Sequence, residues 1–425
     1  MLKYFLALAY PSFKVKNLSG YISTYKITEG FLTAALLSFF IYFSHYEIFS
    51  QNILVFINSL NAILGFYLLL SGDKKTLFWA GFFIALLWFY WIGFSFRFYD
   101  ALFVIPIMIL LVCLVYGMLF WMIGIFKNPF VKALLFLGFS FVHPMSFNWF
   151  IPELVMLDSL FGITKWQFGL FLLAIALFIE LKSWYKAVAI LALLGSVNYN
   201  THEPLALSKQ KIYLSQTSVK QDIKWEESYR NESIQNNLNI IYKAIEQKYE
   251  IVVISESAFA LFLNFEPLLM EKLKSLSKEI TIITGALYAE ETDSYNSTYY
   301  FVDGEVIIAN KVILVPFGEE IPLPKFLGKI VNEIFYNGAE DYKTADNPTD
   351  IEINGEIFRN AICYEATREE LFEGNPKFMI ATSNNAWFTP SIEPTLQKML
   401  LHYFSRKHNT VIYHCANNGG TAVIH

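Results

Sequence analysis

Charge is scarce in this sequence. Only 16% of its 425 residues are charged, 55% are hydrophobic, and mean hydropathy is +0.40. A soluble protein of this length could not hide so much apolar surface, so part of the chain must use lipid as its solvent. The net charge of −5 is mild. No basic stripe with interleaved aromatics occurs, which excludes nucleic acid as a partner. Cysteine is scarcer still, at three: Cys113, Cys363 and Cys415. An odd number forms no disulfide framework. There is no CxxC and no HExxH, and the seven histidines are scattered, so no metal-ligand spacing appears. P-loop and GxGxxG patterns are missing too. The chemistry is expected to need no metal and no organic cofactor.

What the sequence does have is long apolar runs, all before Asn198. Asn52–Ser71, Thr76–Phe96 and Ala101–Phe126 contain no charged residue. Each reaches roughly the 20 residues that span about 30 Å of hydrocarbon. Phe31–Ser44, Ala133–Phe147, Phe161–Ile179 and Trp184–Val197 are shorter candidates, for about seven membrane helices in a domain over residues 1–200. Lys3, Lys14, Lys16, Lys26, Lys74, Lys75, Lys127, Lys132, Lys182 and Lys186 fall on one side, with only Arg97 and Lys165 on the other. That asymmetry puts the N-terminus in the cytoplasm. Seven crossings then put residues 205–425 on the outer face. Met1–Tyr10 is too short for a removed signal peptide and lacks a cleavage site.

The second half reads as an α/β domain. Apolar strand-like runs recur at Ile212–Ser218, Ile251–Ser255, Ile280–Thr284, Val306–Val315, Ile357–Cys363, Phe378–Thr382 and Thr410–Ala416. Glu226–Gln247 carries Ile234, Leu238, Ile241 and Ile245 at helical spacing. Asn354-Gly355 between two runs signals a hairpin.

Three residues at or near strand ends make a set for acyl transfer. Cys363 is the candidate nucleophile, Glu256 the base that takes its proton, and Lys311 the cation for the oxyanion. The lysine is expected to favour the thiolate. Singly, each has a plainer reading: a buried small residue, a cap, a solvated charge.

The phrases around them are VVISES, NKVILVPFGEEIP, ICYEA, SNNAWF and CANNGGTAVI, in that order. Together they resemble the nitrilase superfamily and, more closely, the apolipoprotein N-acyltransferase family. The resemblance implies a polytopic helical membrane domain followed by a nitrilase-like αββα sandwich. It implies that Glu256, Lys311 and Cys363 act as described, with Glu319 and Glu365 supporting them and Tyr364 giving a backbone donor. Trp225 is a candidate for substrate contact, and Asn296 and Asn384 for ordering the pocket. Phe326 and Tyr336 lie in an apolar arm, also carrying Lys325 and Lys329, that is expected either to gate acyl chains at the interface or to pack on the domain as an ordinary amphipathic helix.

The implied reaction takes an acyl chain from a phospholipid and passes it, through a cysteine thioester, to the N-terminal amine of a diacylglyceryl apolipoprotein. The implied setting is the inner membrane, with the catalytic domain in the periplasm and the enzyme a monomer. Further strands and a last membrane helix are implied after NNGGTAVI. Asn385 and Thr389 stand where the family pattern leads one to expect Asp and Gly. Cys415 could pair with another thiol in an oxidising compartment, and pairing with Cys363 would inactivate the enzyme. The rival readings are a membrane-tethered amidase with water as acceptor, and a transporter or receptor with an external binding domain. The long spans carry no charge, which disfavours transport.

Overall fold

The computed structural model describes residues 24–99, 101–199, 205–316, 319 and 342–425. The polar half builds two sheets. The first holds β1 (Ile212–Leu214), β2 (Ile251–Val253), β3 (Phe259–Phe262), β4 (Thr281–Glu290), β5 (Asp293–Val302) and β6 (Glu305–Asn310). Its order is β1-β2-β4-β5-β6, with β3 also paired to β4. β1, β2 and β4 are parallel, and β5 and β6 return antiparallel. The second holds β7 (Asp350–Ile353), β8 (Glu356–Ile362), β9 (Phe378–Asn384), β10 (Val411–Asn417) and β11 (Ala422–Ile424). Here a parallel centre, β8-β9-β10, has antiparallel edges.

Period-two alternation decides which face each residue serves. In β9, Phe378 and Ile380 enter the core shared by the two sheets, with Val253, Ile283, Tyr300 and Tyr413. Met379 and Ala381 enter a different core, with Leu396, Leu400 and Phe404 of the helix Glu393–His408. Helices Glu227–Glu246 and Pro267–Leu276 cover the first sheet through Ile241, Ala244, Leu269 and Leu273. The result is the αββα sandwich that the sequence suggested. Asn354 and Gly355, with φ of 50° and 80°, turn β7 into β8 as a two-residue hairpin. The run Val306–Val315 departs from expectation: its strand stops at Asn310. The N–H groups of Val312 and Ile313 leave the ladder and donate to Glu365 instead.

The apolar half is helical. Gln51–Ser71 and Val104–Gly124, 21 residues each, are long and apolar enough to cross a membrane. At 1.5 Å per residue each covers about 31 Å. Helices Thr24–Leu36 and Phe39–His45 would make a third crossing if they form one span; they are bent by 48°. Ser38 sits at the break, giving its hydroxyl to Ala34 O at 2.6 Å and accepting Trp88 Nε1 at 3.1 Å. Shorter helices follow at Lys74–Phe89, Pro129–Phe139, Lys165–Glu180 and Lys186–Gly195. Lys74–Phe89 lies tightly on Val104–Gly124 because Gly81 has no side chain; a Cβ there would fall 2.5 Å from Tyr116 O. Ile107, Leu111, Leu114, Met118 and Met122 stay exposed on the outer side of Val104–Gly124, as a lipid-facing surface requires.

The two halves pack as one body. One apolar cluster joins Trp88, Trp91, Trp149 and Phe150 to Tyr364, Leu396 and Phe404. Trp149 Nε1 donates to Thr367 Oγ1 at 2.9 Å, and Arg97 donates to the carbonyls of Trp387 and Thr389 at 3.2 and 2.9 Å. All three cysteines are free thiols. Cys415 is buried against the carbonyls of Ser215 and Val253, each 3.3 Å away, and is not paired with Cys363.

Candidate active site

Cys363 follows β8 directly, with φ of 55°. A left-handed backbone costs a non-glycine residue about 1–3 kcal/mol, so its surroundings must hold it there. Glu365 does this. Its Oε1 accepts Ile362 N at 2.7 Å, and its Oε2 accepts Val312 N at 2.9 Å and Ile313 N at 3.1 Å. One carboxyl thus ties the cysteine turn to the residues after Lys311. Burial raises this carboxyl to about 7, against the pull of Lys311 and the three backbone donors. An amide at position 365 would set its NH2 against one or more of those N–H groups. Glu365→Gln is therefore expected to cost about 1–3 kcal/mol. Thermal melting would report the loss, and amide exchange should quicken at Val312 and Ile313.

Glu256 comes just after β2 and is followed by Ser257, itself at φ 48°. Gly285 in β4 leaves room for this turn. A Cβ on Gly285 would lie 2.4 Å from Ser257 N and 2.6 Å from Glu256 Cα. Gly285→Ala is expected to displace Glu256 and lower turnover about a hundredfold, as small misplacements of catalytic groups do. Steady-state rates on the variant would check this.

Lys311, wholly buried, begins just after β6. Its Nζ is 2.6 Å from Glu319 Oε2 and 3.9 Å from Glu256 Oε1. Asn296 bridges the same two carboxylates, its Nδ2 donating to Glu256 Oε1 at 2.8 Å and Glu319 Oε1 at 3.0 Å. Burial opposes the charge on Lys311, but Glu319 and Glu256 outweigh it, and the ammonium is held above its ordinary range. Burial likewise pushes Glu256 up, against Lys311.

The Cys363 thiol departs from the expected electrostatics. Lys311 does favour the thiolate, yet burial and then Glu256 outweigh it, and the thiol is pushed well up. Burial thus favours the neutral thiol over the thiolate, and attack calls for a base to take the proton.

These groups line a cavity of about 320 Å³ with Trp225, Ser257, Leu287, Val315, Tyr342, Asn384, Trp387 and Phe388. Ser95 and Tyr99 of the membrane half line the same cavity. Of the residues singled out in the sequence, Glu256, Lys311, Cys363, Glu319, Asn296, Asn384 and Trp225 therefore meet at one place. Asn384 bridges Gln221 and Asn417, at 2.8 and 2.9 Å. Tyr364 turns its ring into the membrane half, where its hydroxyl donates to Ser146 O at 2.9 Å and its ring stacks on Phe147. Asn385 and Thr389 hold loops together: Asn385 Nδ2 donates to Gly419 O, and Thr389 Oγ1 accepts from Asn418 Nδ2. Phe326 and Tyr336 lie outside the described residues. Sequence reasoning missed Gly285.

The stacked sheets, with their parallel centres and covering helices, place the second half among the nitrilase-like α/β domains, here joined to a helical membrane domain. Two solved structures share the likeness weakly. A CN-hydrolase superfamily protein from Xanthomonas campestris is 13% identical with a TM-score of 0.38, over 50% of this chain and 77% of that one. A nitrilase-superfamily amidase from Nesterenkonia is 11% identical with a TM-score of 0.38, over 52% and 82%. Residues 24–199 match the family model described as the apolipoprotein N-acyltransferase integral membrane domain. The apolipoprotein N-acyltransferase of Wolinella succinogenes is 43% identical over 92% of this chain and 94% of its own. Those of Helicobacter pylori and Campylobacter jejuni are 38% and 36% identical, over 88% and 98% of this chain and 88% and 93% of theirs. The chain belongs to the apolipoprotein N-acyltransferase family, and it is a membrane-embedded acyltransferase.

Proposed function

We propose that this enzyme moves an acyl chain from a phospholipid to the N-terminal amine of a diacylglyceryl apolipoprotein, in two steps through a thioester on Cys363. In the first step Cys363 gives its proton to Glu256 and its sulfur attacks the ester carbonyl of the donor. The oxyanion is met by Lys311 and by a backbone N–H at Tyr364. Collapse expels the lysophospholipid, whose oxygen takes the proton back from Glu256. In the second step the amine attacks the thioester, Glu256 takes its proton, and the departing thiolate recovers that proton from Glu256. Glu319 and Asn296 keep Lys311 and Glu256 in register throughout. Trp225 and the arm bearing Phe326 and Tyr336 serve the acyl chains.

The observation that carries this reading is the shared cavity: Glu256, Lys311 and Cys363 line it together with Ser95 and Tyr99 of the membrane half. Both substrates are lipids. Drawing their chains through water would cost about 0.8 kcal/mol per CH₂, and a site that abuts the membrane half avoids that cost. The lysine distribution supports a cytoplasmic N-terminus, and the seven crossings expected from the apolar runs then put the catalytic domain on the outer side of the inner membrane. Thus residues 1–200 form the membrane domain and 205–425 the catalytic domain.

The test uses the full chain in detergent with a phospholipid and a diacylated lipopeptide. The expected products are lysophospholipid and triacylated lipopeptide in equal amounts by mass spectrometry. Free fatty acid with the lipopeptide unchanged would mean that water is the acceptor, and would defeat the reading.

A further inference from the structure

The helix Glu393–His408 buries two polar side chains, one turn apart, behind the cysteine: Glu393 is 1% exposed and Gln397 0%. Gln397 Nε2 lies 3.9 Å from Cys363 Sγ and 3.4 Å from Ser383 Oγ. Ser383 Oγ is 2.9 Å from His414 Nε2, and His414 Nδ1 is 2.9 Å from Gly420 O.

The polarity of this chain can be worked out from its far end. A carbonyl only accepts, so His414 Nδ1 must carry a hydrogen. Burial lowers His414 to about 4, so the ring is neutral and Nε2 is an acceptor. Ser383 therefore donates to His414, and its oxygen must accept from Gln397. The side of the amide facing Ser383 and Cys363 is thus its NH2, and Oε1 points away.

Two buried oxygens then have no partner: Gln397 Oε1 and Glu393 Oε2. Among the described residues no cation pairs with Glu393. A buried, unpaired carboxylate is costly. A single proton on Glu393 Oε2 removes both defects. It neutralises the carboxyl, and since residues four apart on a helix are neighbours, its O–H is available to Gln397 Oε1. Burial, then the nearby Glu256 carboxylate, push the Glu393 carboxyl well above its usual range.

We propose that Gln397 is a further catalytic residue, donating an amide N–H to the Cys363 sulfur, and that Glu393, kept as a neutral acid, is the positioning residue that fixes the amide's orientation. The contact strengthens as the sulfur becomes negative, because hydrogen bonds to ions are stronger than those to neutral groups. It therefore favours the thiolate that attacks the donor and the same thiolate as it leaves in the second step. In the thioester between them the sulfur is neutral and the contact is weak. The proposal rests on Cys363 being the nucleophile of the reading above.

The test is the pH dependence of Cys363 alkylation by iodoacetamide in the full-length protein, followed by mass spectrometry of the Cys363 peptide. The titratable groups facing the thiol are Glu256, Lys311, Glu393 and Glu319, and that facing Glu393 is Glu256. Gln397→Met fills the same space without a donor. It is expected to raise the thiol's midpoint and slow alkylation at fixed pH about tenfold, one unit's worth. Glu393→Gln, which keeps an N–H for Gln397 Oε1, is expected to stay within about twofold of the parent. Glu393→Leu is expected to shift the profile in the same direction as Gln397→Met. An unchanged profile in Gln397→Met would overturn the proposal. So would a lowered midpoint in Glu393→Gln, since that is the sign of a charged carboxylate facing the thiol. Glu393→Gln is nearly isosteric and decides the question even if the other two variants fail to fold. Alkylation needs no lipid, so these outcomes are distinct from a failure of phospholipid to acylate Cys363.

Discussion

Cys363→Ala is expected to abolish acyl transfer, lowering turnover by about 10⁴-fold or more, while leaving the protein folded and able to bind lipid. The side chain is small, and the interactions that hold its turn are made by Glu365 rather than by the sulfur. Melting temperature should therefore change little. Cys363→Ser is the sharper control, since it keeps the shape. A hydroxyl is a far weaker acid than a thiol. The base facing it, Glu256, is raised but is still a carboxylate. The serine enzyme is thus expected to be nearly as inactive as the alanine one. A phospholipid-dependent transfer rate that survives either substitution would remove Cys363 from the reaction.

Lys311→Met is expected to have the second largest effect, and to act on stability as well as rate. The ammonium is wholly buried against Glu319 and Glu256. Removing it leaves carboxylates facing one another without a cation, which costs about 3–5 kcal/mol. It also removes the charge that meets the oxyanion, for about 10²–10³-fold in rate. The two losses can be separated. Adding Glu319→Gln to Lys311→Met removes one stranded charge, so the double variant should recover stability without recovering turnover. Melting curves and initial rates on the single and double variants would check the cycle. Recovery of both together would mean that Lys311 serves the fold alone.

The positions of the triad residues were legible because each stands at or just beyond a strand end, where an α/β fold presents its chemistry. Their roles came from the phrases around them. Seven of the strands were legible as apolar runs. β5 was not, because DSYNSTYYFV mixes polar and aromatic residues on a strand whose buried polar side chains, such as Asn296 and Ser297, find partners only in the folded site. The end of β6 was misplaced for a related reason. Val312 and Ile313 look like strand residues, but Glu365, 53 and 52 residues further on, takes their N–H groups. The net effect of burial on the thiol was also out of reach. That Lys311 lies near Cys363 could be guessed from motifs, but that burial would outweigh the lysine depends on how closely the cavity walls pack. Gly285 gave no sequence signal, because its role is only to leave space beside Glu256. In the membrane half, composition located the apolar runs but not where helices stop. The run Phe31–Ser44 bends after Leu36, and Thr76–Phe96 gives way after Phe89 to the turn Phe94–Phe98 that approaches the site.

A thioester on Cys363 is caught by leaving out the acceptor. Purified full-length protein is incubated with a phospholipid carrying a tagged acyl chain, digested, and the peptide containing Cys363 is weighed. The expected result is a hydroxylamine-sensitive adduct on Cys363, missing in Cys363→Ser, that moves to the amine of a diacylated lipopeptide when one is added. A folded enzyme that transfers the tag to the lipopeptide with no adduct on Cys363 at any time would contradict it.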